Sequence, residues 1–341
     1  MSSPLRTAFI GTLGTIAMIA AFAVTVQAQD KPVLTVYTYD SFVTDWGPGP
    51  QVEKAFEATC GCDLQLVNAG DGAALLSRLQ LEGARSDADI VLGLDTNITA
   101  RAKATGLFAK LSPAPTGLDV PVDWSDDTFA PYDWGYFAFV YDNTKLIEVP
   151  GSFQELIEAD EDLKIVIQDP RSSTPGLGLL MWVKAAYPNK SAHIWESLAP
   201  RILTVTKGWS EAYGMFLEGE ADMVLSYTTS PAYHIIAEED HTKSAASFSE
   251  GHYMQIEVAG KLAATDQPEL ADQFLSFMTT DAFQSIIPTT NWMYPAKFPD
   301  AGLPKGFEQL ITPEDSLIIS DTEVEAIKED ALAEWLTALS K

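Results

Sequence analysis

VLTVYTYDSF, from Val33 to Phe42, begins as an apolar run alternating with Thr35 and Tyr37 and ends in the polar cluster Tyr39-Asp40-Ser41. It reads as a buried strand that delivers polar groups from its carboxyl end. Working outward, Pro50 to Ala58 places Val52, Ala55 and Phe56 on one helical face, and Leu64 to Val67 is the next strand. Ala73 to Glu82 then groups Leu75, Leu76 and Leu79 on one side of a second helix, and Ile90 to Leu92 follows as a third strand. This β-α-β-α-β order predicts an α/β protein with mostly parallel strands.

The same alternation continues downstream. Tyr136 to Tyr141 is read as a strand leaving the first lobe, Lys164 to Gln168 and Met223 to Tyr227 as strands of a second lobe, and Met254 to Val258 as the return. Gln267 to Met278 reads as a helix with Pro268 in its first turn and Leu270, Phe274 and Met278 on one face. The last helix, Glu323 to Leu339, is expected to start at a Thr322-x-x-Glu325 capping box and to brace the lobes through Val324, Ile327, Ala331, Trp335 and Leu339. The expected organisation is a signal peptide over 1–28, lobe 1 over 29–138, lobe 2 over 139–253, and a return to lobe 1 with bracing helices over 254–341.

The leader carries a single charge, Arg6, then an apolar stretch from Ala8 to Val24 and the small-x-small pattern Val26-Gln27-Ala28. These are the parts of a cleavable secretory signal rather than of a membrane span, and no Cys follows to carry a lipid. The expected home is the periplasm, with no membrane anchor. The remaining length is long for one core and comfortable for two lobes. A formal charge of −27 over 341 residues, with no basic patch, makes nucleic acid and anionic membrane poor partners; it suits a cationic solute, but acidity is also a common solubility device, so the charge alone decides little. Cys60 and Cys62, separated by Gly61, are expected to form a disulfide in an oxidising compartment, the alternative being a free reactive thiol. His193, His234, His241 and His252 show no metal-ligand spacing, so neither a metal nor a catalytic set is expected.

Polar and aromatic clusters recur where strands end: Tyr39 and Asp40, Asp71 and Gly72, Asp169 to Thr174, Trp209, and Tyr227 to Pro231. Ligands of open α/β sheets bind beyond the carboxyl ends of strands, so these clusters can converge on one cleft. Aromatics gather at the same ends: Tyr39, Trp46, Trp209, Tyr227, Tyr233 and Trp292. Rings facing a flat cation contribute roughly 0.5–2 kcal/mol each. Ser173 and Thr174, ahead of Pro175, either cap a helix or present hydroxyls and N–H groups to a ligand.

The segments VLTVYTYDSF (from Val33), DWGPGP (from Asp45), ADIVLGLD (from Ala88), YFAFVYD (from Tyr136), QDPRSSTPGLGLL (from Gln168), TVTKGWSEAYG (from Thr204), LSYTTSPAYH (from Leu225) and NWMYP (from Asn291) resemble the thiamine-binding periplasmic proteins of ABC-type thiamine importers. The resemblance runs from about Lys31 to Pro295. It implies a two-lobed, type 2 periplasmic-binding-protein fold with the ligand cleft between lobes. The implied ligand is thiamine, thiamine phosphate or thiamine diphosphate, carried to an inner-membrane permease by a monomer without cofactor or enzymatic activity. The contacts implied are Asp71, Gly72, Ser173, Thr174, Trp209, Tyr227, Thr228, Thr229, Ser230 and Pro231, to which the strand-end reading adds Tyr39, Tyr233 and Trp292. The alternatives are a carrier of the same fold for an inorganic anion, ferric ion or polyamine, and a thiaminase-like enzyme with a cysteine nucleophile.

Overall fold

The computed structural model describes residues 1–2 and 31–340; the expected signal peptide lies outside the described residues, apart from its first two. Strands β1 (Val33–Thr38), β2 (Asp63–Asn68) and β3 (Ile90–Asp95) alternate with helices α1 (Gly49–Cys60) and α2 (Gly72–Glu82). Next come α3 (Thr99–Ala104), the long β4 (Phe129–Asp142), α4 (Phe153–Glu158) and β5 (Ile165–Gln168). The middle of the chain holds α5 (Thr174–Ala186), α6 (Ser191–Leu198), β6 (Ile202–Thr206), α7 (Trp209–Leu217), β7 (Met223–Tyr227) and α8 (Pro231–Ala237). The short β8 (Lys243–Ala245) precedes β9 (His252–Lys261) and helices α9 (Pro268–Phe277), α10 (Asp281–Gln284) and α11 (Ile287–Thr290). Two-residue strands β10 (Tyr294–Pro295) and β11 (Ser316–Leu317) lead to α12 (Asp321–Leu339).

The strands run in the order β2-β1-β3-β9-β4-β7-β5-β6. β1 lies parallel to β2 and β3, and β5 lies parallel to β6 and β7, so each end of the sheet is a parallel βαβ layer. The expectation of mostly parallel strands fails in between. β9 is antiparallel to both β3 and β4, and β4 is antiparallel to β7, which makes the sheet mixed. The reason is the length of β4: its first half, from Phe129 to Tyr136, pairs with β9, and its second half, from Phe137 to Tyr141, pairs with β7. One strand thus serves both layers, and Pro131, which cannot donate to a ladder, sits at a register shift.

Burial follows the expected faces. Val52 and Phe56 of α1, Leu75, Leu76 and Leu79 of α2, and Ala271, Phe274 and Leu275 of α9 all face the interior. α5 is buried along Thr174–Val183, so its apolar run serves as a central rather than a surface helix. α12 crosses from one layer to the other. Asp321 accepts from Thr99 Oγ1 at 3.2 Å and Lys103 Nζ at 3.4 Å, while Glu334 accepts from Lys184 Nζ at 2.8 Å and Ser191 Oγ at 2.6 Å. Its cap differs from the one expected: Ser320, not Thr322, accepts from the Glu323 backbone N–H. Two overlapping S/T-x-x-E patterns compete here, and the earlier one adds two residues to the helix, Asp321 among them, which reaches Thr99. Cys60 and Cys62 are disulfide-bonded around Gly61, whose φ of +65° is the left-handed turn that ends α1. Among the described residues no helix is long and apolar enough to cross a membrane.

Candidate functional site

A cavity of about 530 Å³ opens where the carboxyl ends of β1, β2, β6 and β7 meet the turn after α11. Eight of the expected ligand residues line it: Tyr39, Asp71, Thr174, Trp209, Tyr227, Ser230, Tyr233 and Trp292. Five others stand behind the wall. Gly72 opens α2, and a Cβ there would lie 2.0 Å from Thr174 Oγ1, so the close approach of α2 to α5 requires a glycine. Ser173 is buried beside it, Thr228 and Thr229 are buried in the turn after β7, and Pro231 is buried as the first residue of α8. Trp46 also lines the cavity, 53% exposed at its rim with its ring 6.4 Å from Trp209.

Hydrogen bonds fix the aromatic wall. Trp209, the first residue of α7, stacks on Tyr213 at 4.9 Å and donates from Nε1 to Ser226 Oγ at 2.8 Å. Tyr227 stacks on Phe137 at 5.1 Å and donates from its hydroxyl to Gln255 Oε1 at 3.1 Å. Trp292 meets Tyr233 edge-on at 5.4 Å and holds a φ of +57°, a conformation that a bulky residue adopts only when its surroundings impose it. Behind this wall the Tyr213 hydroxyl lies 3.0 Å from His234 Nε2, and His234 Nδ1 lies 2.7 Å from Glu238. His234, Glu238 and Asp240 bring ligand atoms within 4.8 Å of one another. Both His234 nitrogens already have partners, so the cluster braces Tyr213.

Two carboxylates reach the cavity, Asp71 half-buried and Glu257 buried. Asp71 accepts from the Gly72 N–H at 2.8 Å through Oδ1 and from the Ser173 hydroxyl at 2.6 Å through Oδ2. Burial raises its pKa, and the bonds from Ser173 and Gly72 pull it back. The Ser173 hydroxyl is therefore committed to Asp71 rather than to capping α5, whose start has no side-chain cap. Glu257 of β9 is the second carboxylate. Its Oε2 accepts from Tyr132 at 2.6 Å and lies 3.1 Å from the Tyr39 hydroxyl, which is also 3.2 Å from Asn291 Oδ1. Asn291 Nδ2 donates to Asp133 Oδ2 at 2.6 Å, and Asp133 is the cross-strand partner of Glu257 in the β4–β9 pairing. Burial pushes Glu257 up to about 7 against the pull of the two phenols, and burial together with the charge of Glu257 raises Asp133 well above the carboxylate range. Asp95, at the end of β3, is also raised by burial, to about 6. Among the described residues no Lys, Arg or His lines the cavity.

The sequence reading missed Glu257, Asn291, Ser210, Tyr213 and Met293 on this wall. The available signal for Glu257 was its place in a strand buried along its whole length, where an unpaired acid is expensive. Tyr213 and Ser210 follow Trp209 on α7, and Asn291 and Met293 flank Trp292. The cysteine-nucleophile alternative finds no thiol here, because both cysteines form the disulfide and neither lines the cavity.

Comparison with known proteins agrees with this geometry. Residues 47–285 match the model of the bacterial extracellular solute-binding proteins. The thiamine-binding periplasmic protein of Escherichia coli (strain K12) is 56% identical over 311 residues, 91% of this chain and 94% of that protein. Its counterpart from Brucella melitensis biotype 1 is 49% identical over 330 residues, covering 97% and 99% of the two chains. A solved structure described as a periplasmic thiamin binding protein superposes with a TM-score of 0.89 at 55% identity, covering 91% of this chain and 97% of that one. These relatives are named for binding, not for a reaction. The chain therefore belongs to the bacterial extracellular solute-binding proteins, in the family of the thiamine-binding periplasmic proteins.

Proposed function

We propose that this protein captures thiamine or one of its phosphate esters in the periplasm, by closing two lobes over it, and hands it to an inner-membrane ABC permease. The observation that carries the reading is the wall: seven aromatic side chains and two carboxylates, with no cationic side chain among the described residues. Thiamine has a permanently positive thiazolium, a flat aminopyrimidine and a hydroxyethyl arm. Trp209, Tyr227, Tyr233 and Trp292 offer faces and edges to the rings, and the carboxylates supply the charge. Thr174, the first residue of α5, lines the cavity and offers a hydroxyl to the alcohol or phosphate arm.

The lobes are taken as 29–138 and 139–253, with 254–341 returning to the first. Contacts between them support a closed form. Ser173 bonds to Asp71, the Ala74 N–H donates to the Ser172 carbonyl at 3.0 Å, and Ser210 Oγ lies 3.5 Å from Asp40 Oδ1. Such contacts form together only when the cleft shuts, which makes closure the signal a permease reads. In this reading the mature protein is a monomer freed of residues 1–28 and carries no cofactor. Calorimetric titration with thiamine, thiamine phosphate and thiamine diphosphate tests it. Saturable one-to-one binding of at least one form is expected; heat absent for all three, with binding of a ferric ion or an inorganic anion instead, overturns it.

A further inference from the structure

Glu257 is an acid in a strand buried from His252 to Lys261, and it is itself only 7% exposed while lining the cavity. The groups that face it come from every neighbouring element: Tyr39 after β1, Asp95 on β3, Tyr132 and Asp133 on β4, Tyr227 on β7 and Asn291 after α11. None of these is cationic. A carboxylate placed against a second carboxyl and walled from water is costly unless a proton or a cation stands with it. Asp133, fully buried and outside the cavity wall, is the cross-strand partner of Glu257 in the β4–β9 pairing, its Oδ1 has no hydrogen-bond partner, and the two phenols converge on Glu257 Oε2. The cavity side of Glu257 is where the compensating positive group can come.

We propose that Glu257 is the carboxylate that selects the positively charged, amino-bearing ligand, and that the carboxyl pair it forms with Asp133 gives up a proton as the ligand enters. The inference rests on the reading of the ligand as thiamine. The step breaks one carboxyl O–H bond, the proton passes to the buffer, and no covalent bond to the ligand forms. Tyr39, Tyr132 and Asn291 are positioning residues for this pair.

The sign follows from linkage. An acid raised by burial holds its proton at mildly acid pH, and a cation beside it favours the ionised form, so binding releases protons there and affinity rises with pH. The test is calorimetric titration with thiamine, at pH 6.5 and 8.5, each in two buffers of different ionisation enthalpy. Wild-type protein is expected to release roughly 0.5–1 proton at pH 6.5 and close to none at pH 8.5, with tighter binding at the higher pH. Glu257→Gln is expected to abolish the release and to weaken thiamine about tenfold at pH 8.5. Titration of the ligand itself is common to both proteins and drops out of the comparison. Proton release unchanged in Glu257→Gln overturns the proposal, as does a wild-type protein that binds thiamine with no proton release at either pH. Should the variant fail to fold, the wild-type proton count decides alone. Thiamine that does not bind at any pH refutes the functional reading itself, a distinguishable result.

Discussion

Asp71, half-buried, and Glu257, buried, are acids on one cavity wall, yet their surroundings differ in kind. Asp71 sits at a helix start, accepts from the Gly72 N–H and the Ser173 hydroxyl, and joins the β2–α2 turn to the start of α5. Glu257 sits within a central strand, accepts from phenols, and stands against a second carboxyl group. The first is satisfied by the protein's own donors; the second is left in need of positive charge. A carboxylate of the first kind holds parts of the protein together, whereas one of the second kind waits for a ligand.

Removing Asp71 should break this comparison most severely. Asp71→Ala deletes the α2 cap and the bond to Ser173 together. Losing a hydrogen bond to a charged group across the cleft costs about 2–3 kcal/mol, so calorimetry should find thiamine affinity lower on the order of a hundredfold. Lost capping adds about 1 kcal/mol of destabilisation, visible as a small fall in Tm. An affinity within a factor of two of wild type would remove Asp71 from the closing contact.

A smaller effect is expected at Asp95, which shares the Glu257 neighbourhood and whose Oδ1 accepts from the Asn97 N–H at 2.6 Å. Its pKa is raised in the fold to about 6, so between its unfolded value and that pH the folded state binds more protons than the unfolded one. Its contribution to stability is therefore present at low pH and is lost as pH rises through about 6. Asp95→Asn removes a charge whose burial costs at most about 2–3 kcal/mol at pH 7.5. Melting of the ligand-free variant should occur roughly 3–6 °C higher at pH 7.5 and at the wild-type temperature near pH 4. Destabilisation at pH 7.5 would show that the Asp95 charge is compensated.

The contrast between the two acids also marks what a sequence reveals. Asp71, Trp209 and Tyr227 follow strands that period-2 runs make visible, so topology alone carries them toward a cleft. Glu257 lies inside such a run and becomes a wall residue only because β9 is flanked by β3 and β4, a pairing that no local pattern encodes. The first half of β4 was hidden for a related reason: Pro131, Asp133 and Gly135 interrupt the apolar pattern, yet the strand tolerates the proline at its register shift. Ser173 was legible as important but not in its role, since a hydroxyl ahead of a helix suggests a cap and its partner lies 102 residues away. Gly72, expected to touch ligand, also stands where the approach of Thr174 leaves no room for a side chain.

The claim on which these arguments depend is that the cavity holds a flat cation against indole and phenol rings, with Glu257 facing its charge. A crystal structure of the protein grown with thiamine measures this directly. The predicted result is density for both heterocycles within van der Waals contact of Trp209, Tyr227 or Trp292, and a Glu257 oxygen within hydrogen-bond distance of the ligand. Thiamine bound elsewhere, or a bare anion or metal ion in the cavity at saturating thiamine, would contradict it.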